Sequence, residues 1–335
     1  MLAELKLEKF ESQAGYLSGI SFQSFLEYLE NHHPLLRNLI DDAYVHDLSF
    51  DGFATALNAA SWEFEGVEAG RGGSYNLAQH RYIDNRKDGM SRLLTEAVQN
   101  GPRIAGRPFV LLDALAGDGT IQRYAAGHDN HDLYIISADL SAYMVECCRQ
   151  QNFPCLRQAA TCSLLRDNVL DGVLLAYGTH HIPREQRALA VREAYRTLAP
   201  GGRLVLHDFA VGSAMDSWFA DVVHPYTRTG HDHPHFLAEE LQEYFENAGF
   251  TGIEIASIND PFETAGDTAH AARHHLIEFM HGMYGLELLP LRSDAEFAWL
   301  ETHIERIFGP IELSFKEEIW TARVCREAIV ATATK

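Results

Sequence analysis

The sequence predicts an α/β fold in which an open, mostly parallel sheet carries helices on both faces. Two observations predict it. Strand-like and helix-like patterns alternate from Phe109 to Ile258, which is how a helix-covered parallel sheet reads in sequence. The alternation opens on F-V-L-L-D-A-L-A-G-D-G-T, Phe109 to Thr120. Four apolar residues there run into an acid, a turn with Gly117 and Gly119, and a helix start at Thr120. This is a buried strand handing a glycine loop to a helix N-terminus, as in nucleotide-binding βαβ units.

Each element follows in order. Before the sheet, residues 1–100 read mainly as helices, a lid or dimerisation region ahead of a catalytic domain at 101–335. Phe22, Phe25, Leu26 and Leu29 have helical spacing, as do Phe53 and Leu57. The G-R-G-G stretch, Gly70 to Gly73, reads as a loop. A helix follows through Leu93, Leu94 and Val98. Within the sheet region, a second strand, Leu133 to Ala138, ends in Asp139, about 20 residues beyond the glycine loop, where a ribose-binding acid is expected. Its helix spans Ala142 to Gln151. Asp171 to Tyr177 is the fourth strand and Glu185 to Leu198 its helix. After the turn Pro200-Gly201-Gly202, Arg203 to Asp208 is the fifth strand. The helix from Ala238 to Ala248 stops at Gly249, and Gly252 to Ile258 is the sixth strand. A helical insertion, about residues 260–320, precedes the last strand, Glu327 to Thr334.

The totals bound the function. A formal net charge of −20 argues against nucleic acid or an anionic membrane as partner, since both need a basic surface. Five cysteines without a C-x-x-C pair read as reduced thiols of a cytoplasmic protein rather than a disulfide framework. No apolar run is long enough to span a bilayer and no signal peptide is visible. The 18 histidines are the compositional oddity, and they cluster.

One cluster is T-G-H-D-H-P-H-F, Thr229 to Phe236, in the loop after the fifth strand. That loop lies beyond the carboxyl ends of the strands, where ligands sit in open α/β folds. A second lies on the helix read over Thr268 to Leu286, where His270, His274, Ile277 and His281 share a face and His275 does not. Histidine and carboxylate together suit iron, zinc or a similar divalent ion. The same residues also suit polar helix faces, turn caps or substrate hydrogen bonds. His180, His181 and His207 stand near strand ends and are the candidate bases. Arg71, Arg81 and Arg86 lie closest to the sheet domain, and Arg81 or Arg86 is placed to grip a substrate carboxylate.

The ordered motifs resemble the class I S-adenosylmethionine-dependent methyltransferases over about residues 105–258. They are the D-x-x-x-G-x-G loop, D-L-S-A-Y-M at the second strand's end, the strand running into His180-His181-Ile182, and L-A-P-G-G-R-L at the fifth strand. The resemblance implies a Rossmann-like seven-stranded sheet. It also implies S-adenosylmethionine held by Asp113, Ala114, Gly117, Gly119, Asp139, Leu140, Thr161 and Tyr177. Two positions depart from the pattern: Leu115 replaces a loop glycine, and Ala160 replaces the acid that contacts adenine. The Thr161 hydroxyl or backbone is then expected to make that contact.

A narrower resemblance rests on T-G-H-D-x-P-H-F with a downstream helical histidine. It is similar to the methyltransferases that alkylate C3 of 2-oxo acids such as phenylpyruvate, using a catalytic metal. That likeness implies metal ligands His231, Asp232 and His281, with His274 as the competing third ligand. It further implies a metal-stabilised enolate, a 2-oxo acid substrate, a place in amino-acid-derived natural product biosynthesis, and a homodimer. A metal-free O- or N-methyltransferase of a small metabolite is the alternative enzyme, and a cofactor-binding scaffold without catalysis is the alternative outside enzymes.

Overall fold

The computed structural model describes residues 15–335 except 18, 48–56, 58–61, 67–69, 100, 102–105 and 129–131. The expectation of helical spacing at Phe53 lies outside the described residues. Among those described, the first helix, α1 (Phe22–His32), buries Phe22, Phe25, Leu26 and Leu29 and is capped by Ser21, whose hydroxyl accepts from the Ser24 amide. Short helices α2 (Pro34–Leu39) and α3 (Asp42–Asp47) follow. Helix α4 (Gly72–Arg81), a single turn at Ile83–Arg86 and helix α5 (Lys87–Val98) then lead to the sheet. The stretch read as a loop at Gly70 to Gly73 is half helix. Chain packing explains the difference: a Cβ at Gly72 would lie 2.3 Å from the Phe64 carbonyl oxygen, so the glycine serves a close approach rather than a break.

The sheet has seven strands, β1 (Phe109–Asp113), β2 (Leu133–Asp139), β3 (Cys155–Arg157), β4 (Leu170–Leu175), β5 (Leu198–Asp208), β6 (Thr251–Asn259) and β10 (Glu327–Thr334), numbered in chain order. Their spatial order is β3-β2-β1-β4-β5-β10-β6. Strands β1 to β5 pair in parallel, and β10 runs antiparallel between β5 and β6. Helices α6 (Thr120–Gly127), α7 (Ala142–Gln150), α8 (Arg184–Thr197) and α10 (Ala238–Ala248) complete the alternation. Residues of β1 and β4 are buried throughout, as strands covered on both faces must be. The fifth strand begins at Leu198, not Arg203. Leu198 pairs with Leu170, and a register shift then lets Pro200-Gly201-Gly202 pass as a bulge within the strand.

The expected helical insertion is a mixed unit. It holds α11 (Ala269–Tyr284), α12 (Asp294–Phe308) and a three-stranded antiparallel sheet, β7 (Phe262–Gly266), β9 (Ile319–Val324) and β8 (Glu312–Lys316), in the order β7-β9-β8. Sequence patterning missed this sheet although β8 alternates as E-L-S-F-K: the run is only five residues long and exposed along its length, too short a signal to set against the helices around it. The insertion has its own core, in which Phe262, Phe279, Leu300 and Ile304 pack with Trp218 and Phe219. The last two come from α9 (Ala214–Trp218) and the π turn Phe219–Val223 that continues it. Among the described residues no helix is long and apolar enough to cross a membrane.

Candidate functional site

The glycine loop is shaped by left-handed backbone at Gly117 (φ +55°) and Gly119 (φ +81°). A side chain at Gly119 would also meet Phe153 at 2.9 Å. Asp139, at the end of β2, accepts the Gly117 amide at 2.9 Å and the Ser141 amide at 2.9 Å, so it orders the loop from below. Burial pushes its carboxyl up to about 6. Asp113, at the end of β1, is 1% exposed. Neither of its oxygens makes a well-formed hydrogen bond, the Leu115 amide being its nearest donor. Burial, with the Asp139 charge adding to it, pushes this carboxyl up to about 7. A buried acid whose one close donor is the Leu115 amide marks a place for a cationic or hydrogen-bond-donating ligand group.

Around this loop the structure adds residues that sequence reading passed over. Asp118, fully buried, accepts from Asn76 of α4 at 2.9 Å and from the Thr120 hydroxyl at 2.6 Å. Helix α4 thus lies over the loop. Glu65 accepts the Ala142 and Tyr143 amides at the start of α7, beside Asp139. Ala114 is buried next to Asp113, and the Leu140 carbonyl accepts from Arg157 Nε at 3.0 Å. Thr161 is half-buried in the turn after β3.

Tyr177, just past β4, has φ +61°, a strained backbone for a bulky residue and one that recurs at functional sites. Its ring lies 4.3 Å from that of His207 and under the Arg86 guanidinium, also at 4.3 Å. Its hydroxyl donates to Asp260 at 3.3 Å. Asp260 also takes His207 Nε2 at 3.1 Å and Arg326 Nη2 at 2.6 Å. This buried network fixes His207 at the end of β5. Asp260 was missed, although an acid directly after the sixth strand was a readable signal.

The two candidate arginines separate. Arg86 is 2% exposed, donates to Gln79 at 2.8 Å, and leaves Nε and Nη1 without hydrogen bonds. An anion-binding role is open to it. Arg81 is corrected: it is exposed and paired with Glu278 of the insertion helix Ala269–Tyr284 at 3.3 Å.

Beyond β4 and β5 lies a buried imidazole chamber. The carboxyl end of β4 runs into the turn Thr179–His181. There His180 Nδ1 sits 2.8 Å from Asp208 Oδ1, and the His180 amide donates to Asp208 Oδ2 at 2.7 Å. From the loop after α9, His235 Nδ1 sits 2.7 Å from Asp216 Oδ1. His231 stacks on Phe219, ring centroids 4.1 Å apart, and its amide donates to His224 Nδ1 at 3.0 Å. The π turn that presents Phe219 is a local departure from α geometry of the kind found at sites. Glu63, buried in the turn Trp62–Phe64, reaches in from the N-terminal region. It lies 3.0 Å from His181 Nδ1, 3.3 Å from His233 Nε2 and 3.7 Å from His231 Nδ1. Arg71 holds its other side at 3.0 Å. Burial drives the His181 imidazole down to about 4 and that of His231 far below its ordinary range. The neighbouring imidazoles and Arg71 hold Glu63 ionised against its burial. His180 Nε2, His235 Nε2 and His231 Nε2 are buried with no hydrogen bond, whereas His181 Nδ1 and His231 Nδ1 face only the Glu63 carboxylate. Each unpartnered atom costs about 1–3 kcal/mol unless something satisfies it.

The ligand set expected from sequence does not assemble. His231 is in the chamber, but Asp232 is exposed. His281 Nε2 is 2.7 Å from the Leu289 carbonyl oxygen, and His274 stacks on Phe297 of α12 at 4.2 Å. The histidine face of α11 turns toward its own insertion, because α12 and the following loop supply its packing partners. Among the described residues, the groups with metal-ligand spacing are instead Glu63, His181, His231 and His233, and His180, His231 and His235. Glu63 had no sequence signal: it is one acid among aromatics some 45 residues before β1.

Residues 112–206 match a family profile described as a methyltransferase domain. Among curated proteins, the chain is similar to the ubiquinone/menaquinone biosynthesis C-methyltransferase UbiE of Methylobacterium nodulans, 32% identical over 111 residues, which are 31% of this chain and 43% of that protein. It is also similar to the UbiE of Rhodopseudomonas palustris, 30% identical over 149 residues, 41% of this chain and 56% of that protein. The chain therefore spans about half the length of the curated relatives it matches. Among solved structures, the YcgJ protein of Bacillus subtilis superposes with a TM-score of 0.48 at 16% identity, covering 74% of this chain and 98% of that one. The match places a methyltransferase domain at residues 112–206, the stretch that holds the glycine loop after β1 and the strands β2 to β5.

Proposed function

We propose that this protein is an S-adenosylmethionine-dependent C-methyltransferase acting on C3 of a 2-oxo acid. The observation that carries the reading is the pairing of two buried sites at the carboxyl ends of β1 to β5. One is the loop of Asp113, Gly117, Gly119 and Asp139. The other is the imidazole chamber beyond it. Methyl transfer to carbon also agrees with the C-methyltransferase relatives.

S-adenosylmethionine, when bound, supplies an electrophilic methyl group on sulfur. Asp139 and the left-handed glycines shape the ribose end of that site, and Asp113 faces its methionine end. Arg86, buried between Tyr75 and Tyr177, is the group for a carboxylate. The substrate must lose a proton from C3 before that carbon can attack. His180 is suited to take it, because Asp208 fixes its Nδ1 and leaves Nε2 with an open lone pair, the arrangement of an oriented base. The proton passes from C3 to His180 Nε2, Asp208 balances the imidazolium, and the new C–C bond forms as the sulfur–methyl bond breaks. A divalent ion would serve this chemistry as a Lewis acid on the enolate oxygen, and the donors suited to it are those around His231. Helix α4 and the Trp62–Phe64 turn act as the lid, since Asn76, Glu65 and Glu63 tie the N-terminal region to both sites.

The test uses methyl-deuterated S-adenosylmethionine and a panel of 2-oxo acids bearing C3 protons, with the product located by NMR. A labelled methyl on C3 is expected. A methyl on oxygen or nitrogen, or no transfer to any member of the panel, overturns the reading.

A further inference from the structure

We infer that the chamber is a first-row transition-metal site whose donors are Glu63, His181, His231 and His233, with the carboxylate supplied by the N-terminal region. This deepens the 2-oxo acid reading and concerns the same chamber, but it stands on its own observations.

The geometry comes first. Donors held about 2.1 Å from a tetrahedral ion lie about 3.4 Å from one another. The Glu63 oxygens lie 3.0, 3.3 and 3.7 Å from nitrogens of His181, His233 and His231. All four side chains place one ligand atom within 4.8 Å of each other. The chemistry is one carboxylate and three imidazoles, which suits zinc or iron(II) and disfavours magnesium or calcium.

The second observation is independent of spacing. His231 is 6% exposed; its Nε2 has no partner, and its Nδ1 has only the Glu63 carboxylate, at 3.7 Å. A neutral imidazole in that state has an open lone pair that only a hydrogen-bond donor or a metal can satisfy. Its ring is held from outside by Phe219 stacking and by the neighbouring backbone contact to His224. Arg71 orients Glu63 in the same way. Ligands fixed by partners that do not themselves bind metal are the mark of a prepared site. His180 and His235 stand on the inner side of His231 with their Nδ1 atoms clamped by Asp208 and Asp216. They form a rigid wall behind the shared imidazole and leave His180 free to act as base.

The arrangement also differs from an adjacent His-Asp pair completed by a downstream helix. Asp232 is exposed, and His281 is engaged with the Leu289 carbonyl. The donors come instead from the turn before α4, the turn after β4 and the loop after α9. These segments are far apart in sequence, so metal binding would tie the lid to the sheet.

The test is made on the full chain, stripped with chelator and titrated with cobalt(II), with visible absorption and bound metal per chain as readouts. One cobalt per chain with ligand-field bands of a low-coordinate N/O site is expected. His231→Ala, Glu63→Gln and His233→Ala should each weaken cobalt binding at least tenfold, whereas Asp232→Ala, His281→Ala and His274→Ala should leave it unchanged. S-adenosylhomocysteine binding, followed by calorimetry, reports whether each variant is folded. No stoichiometric cobalt in wild-type protein overturns the inference. So does loss of cobalt in His180→Ala and His235→Ala with retention in Glu63→Gln, or loss in Asp232→Ala or His281→Ala. Cobalt binding without S-adenosylhomocysteine binding would instead overturn the methyltransferase reading and leave the metal site standing. S-adenosylhomocysteine binding without cobalt would do the reverse.

Discussion

Replacing Asp113 by asparagine should stabilise the ligand-free protein at alkaline pH relative to acid pH. Asp113 is 1% exposed, and its carboxyl is pushed up to about 7 from an ordinary 3.8, chiefly by burial. Between those values the folded chain holds a proton that the unfolded chain has released. Stability contributed by this group is therefore full below pH 4 and falls as pH rises to 7. Integrated over the two titrations, the cost is about 1.5 kcal/mol at pH 5 and about 4 kcal/mol at pH 8. Asparagine has no such titration. Whatever constant its buried amide adds, the stability difference, variant minus wild type, should rise by about 2.5 kcal/mol from pH 5 to pH 8. Urea unfolding of both proteins at the two pH values measures this, and the titrating histidines common to both cancel. A difference that does not change with pH, or that changes in the other direction, would refute the reasoning. If Asp113 holds the methionine end as proposed, the same variant should also bind S-adenosylmethionine more weakly, which calorimetry reads.

Other expectations follow from particular contacts. Asp139→Ala should weaken S-adenosylmethionine binding by a few kcal/mol, the scale of hydrogen bonds to a charged acceptor, and calorimetry on the folded variant checks it. Asp260→Ala leaves Arg326 as a buried charge without its carboxylate, and should cost about 3–5 kcal/mol in urea unfolding. Gly89→Ala puts a Cβ 1.8 Å from Asp260 Oδ1 and 2.6 Å from the Tyr177 hydroxyl. Because Arg326 and His207 pin Asp260, this methyl should destabilise by about 1–3 kcal/mol, read as a lowered melting temperature. A chain starting at Gly101 lacks Glu63, Asn76 and Arg86, and is expected to lose turnover. Full activity in that truncation would remove the N-terminal region from the site.

The amino-acid sequence by itself determined the sheet. Strands at Phe109, Leu133 and Leu170 are nearly continuous apolar runs, helices between them carry one apolar face, and Gly117 and Gly119 stand where the backbone must turn left-handed. These are local signals, because each depends on neighbours within a few residues. The final strand from Glu327 to Thr334 and the helix from Ala238 to Ala248 were legible for the same reason. The T-G-H-D-H-P-H-F loop stood out by its histidines, and the structure brings His231, His233 and His235 of it together while leaving Asp232 exposed. What only the tertiary structure decided is which side chains meet. Asp232 follows His231 in sequence yet points to solvent, while Glu63, some 170 residues earlier, lies against it. His281 shares a helical face with His274, but α12 and the loop at Leu289 take up both. The three-stranded sheet of the insertion was passed over because the alternation of β8, E-L-S-F-K, is only five residues long and its strand is exposed. Local pattern reports which face of an element is buried; the packing of distant elements selects its partner, and the chamber is made wholly of such choices.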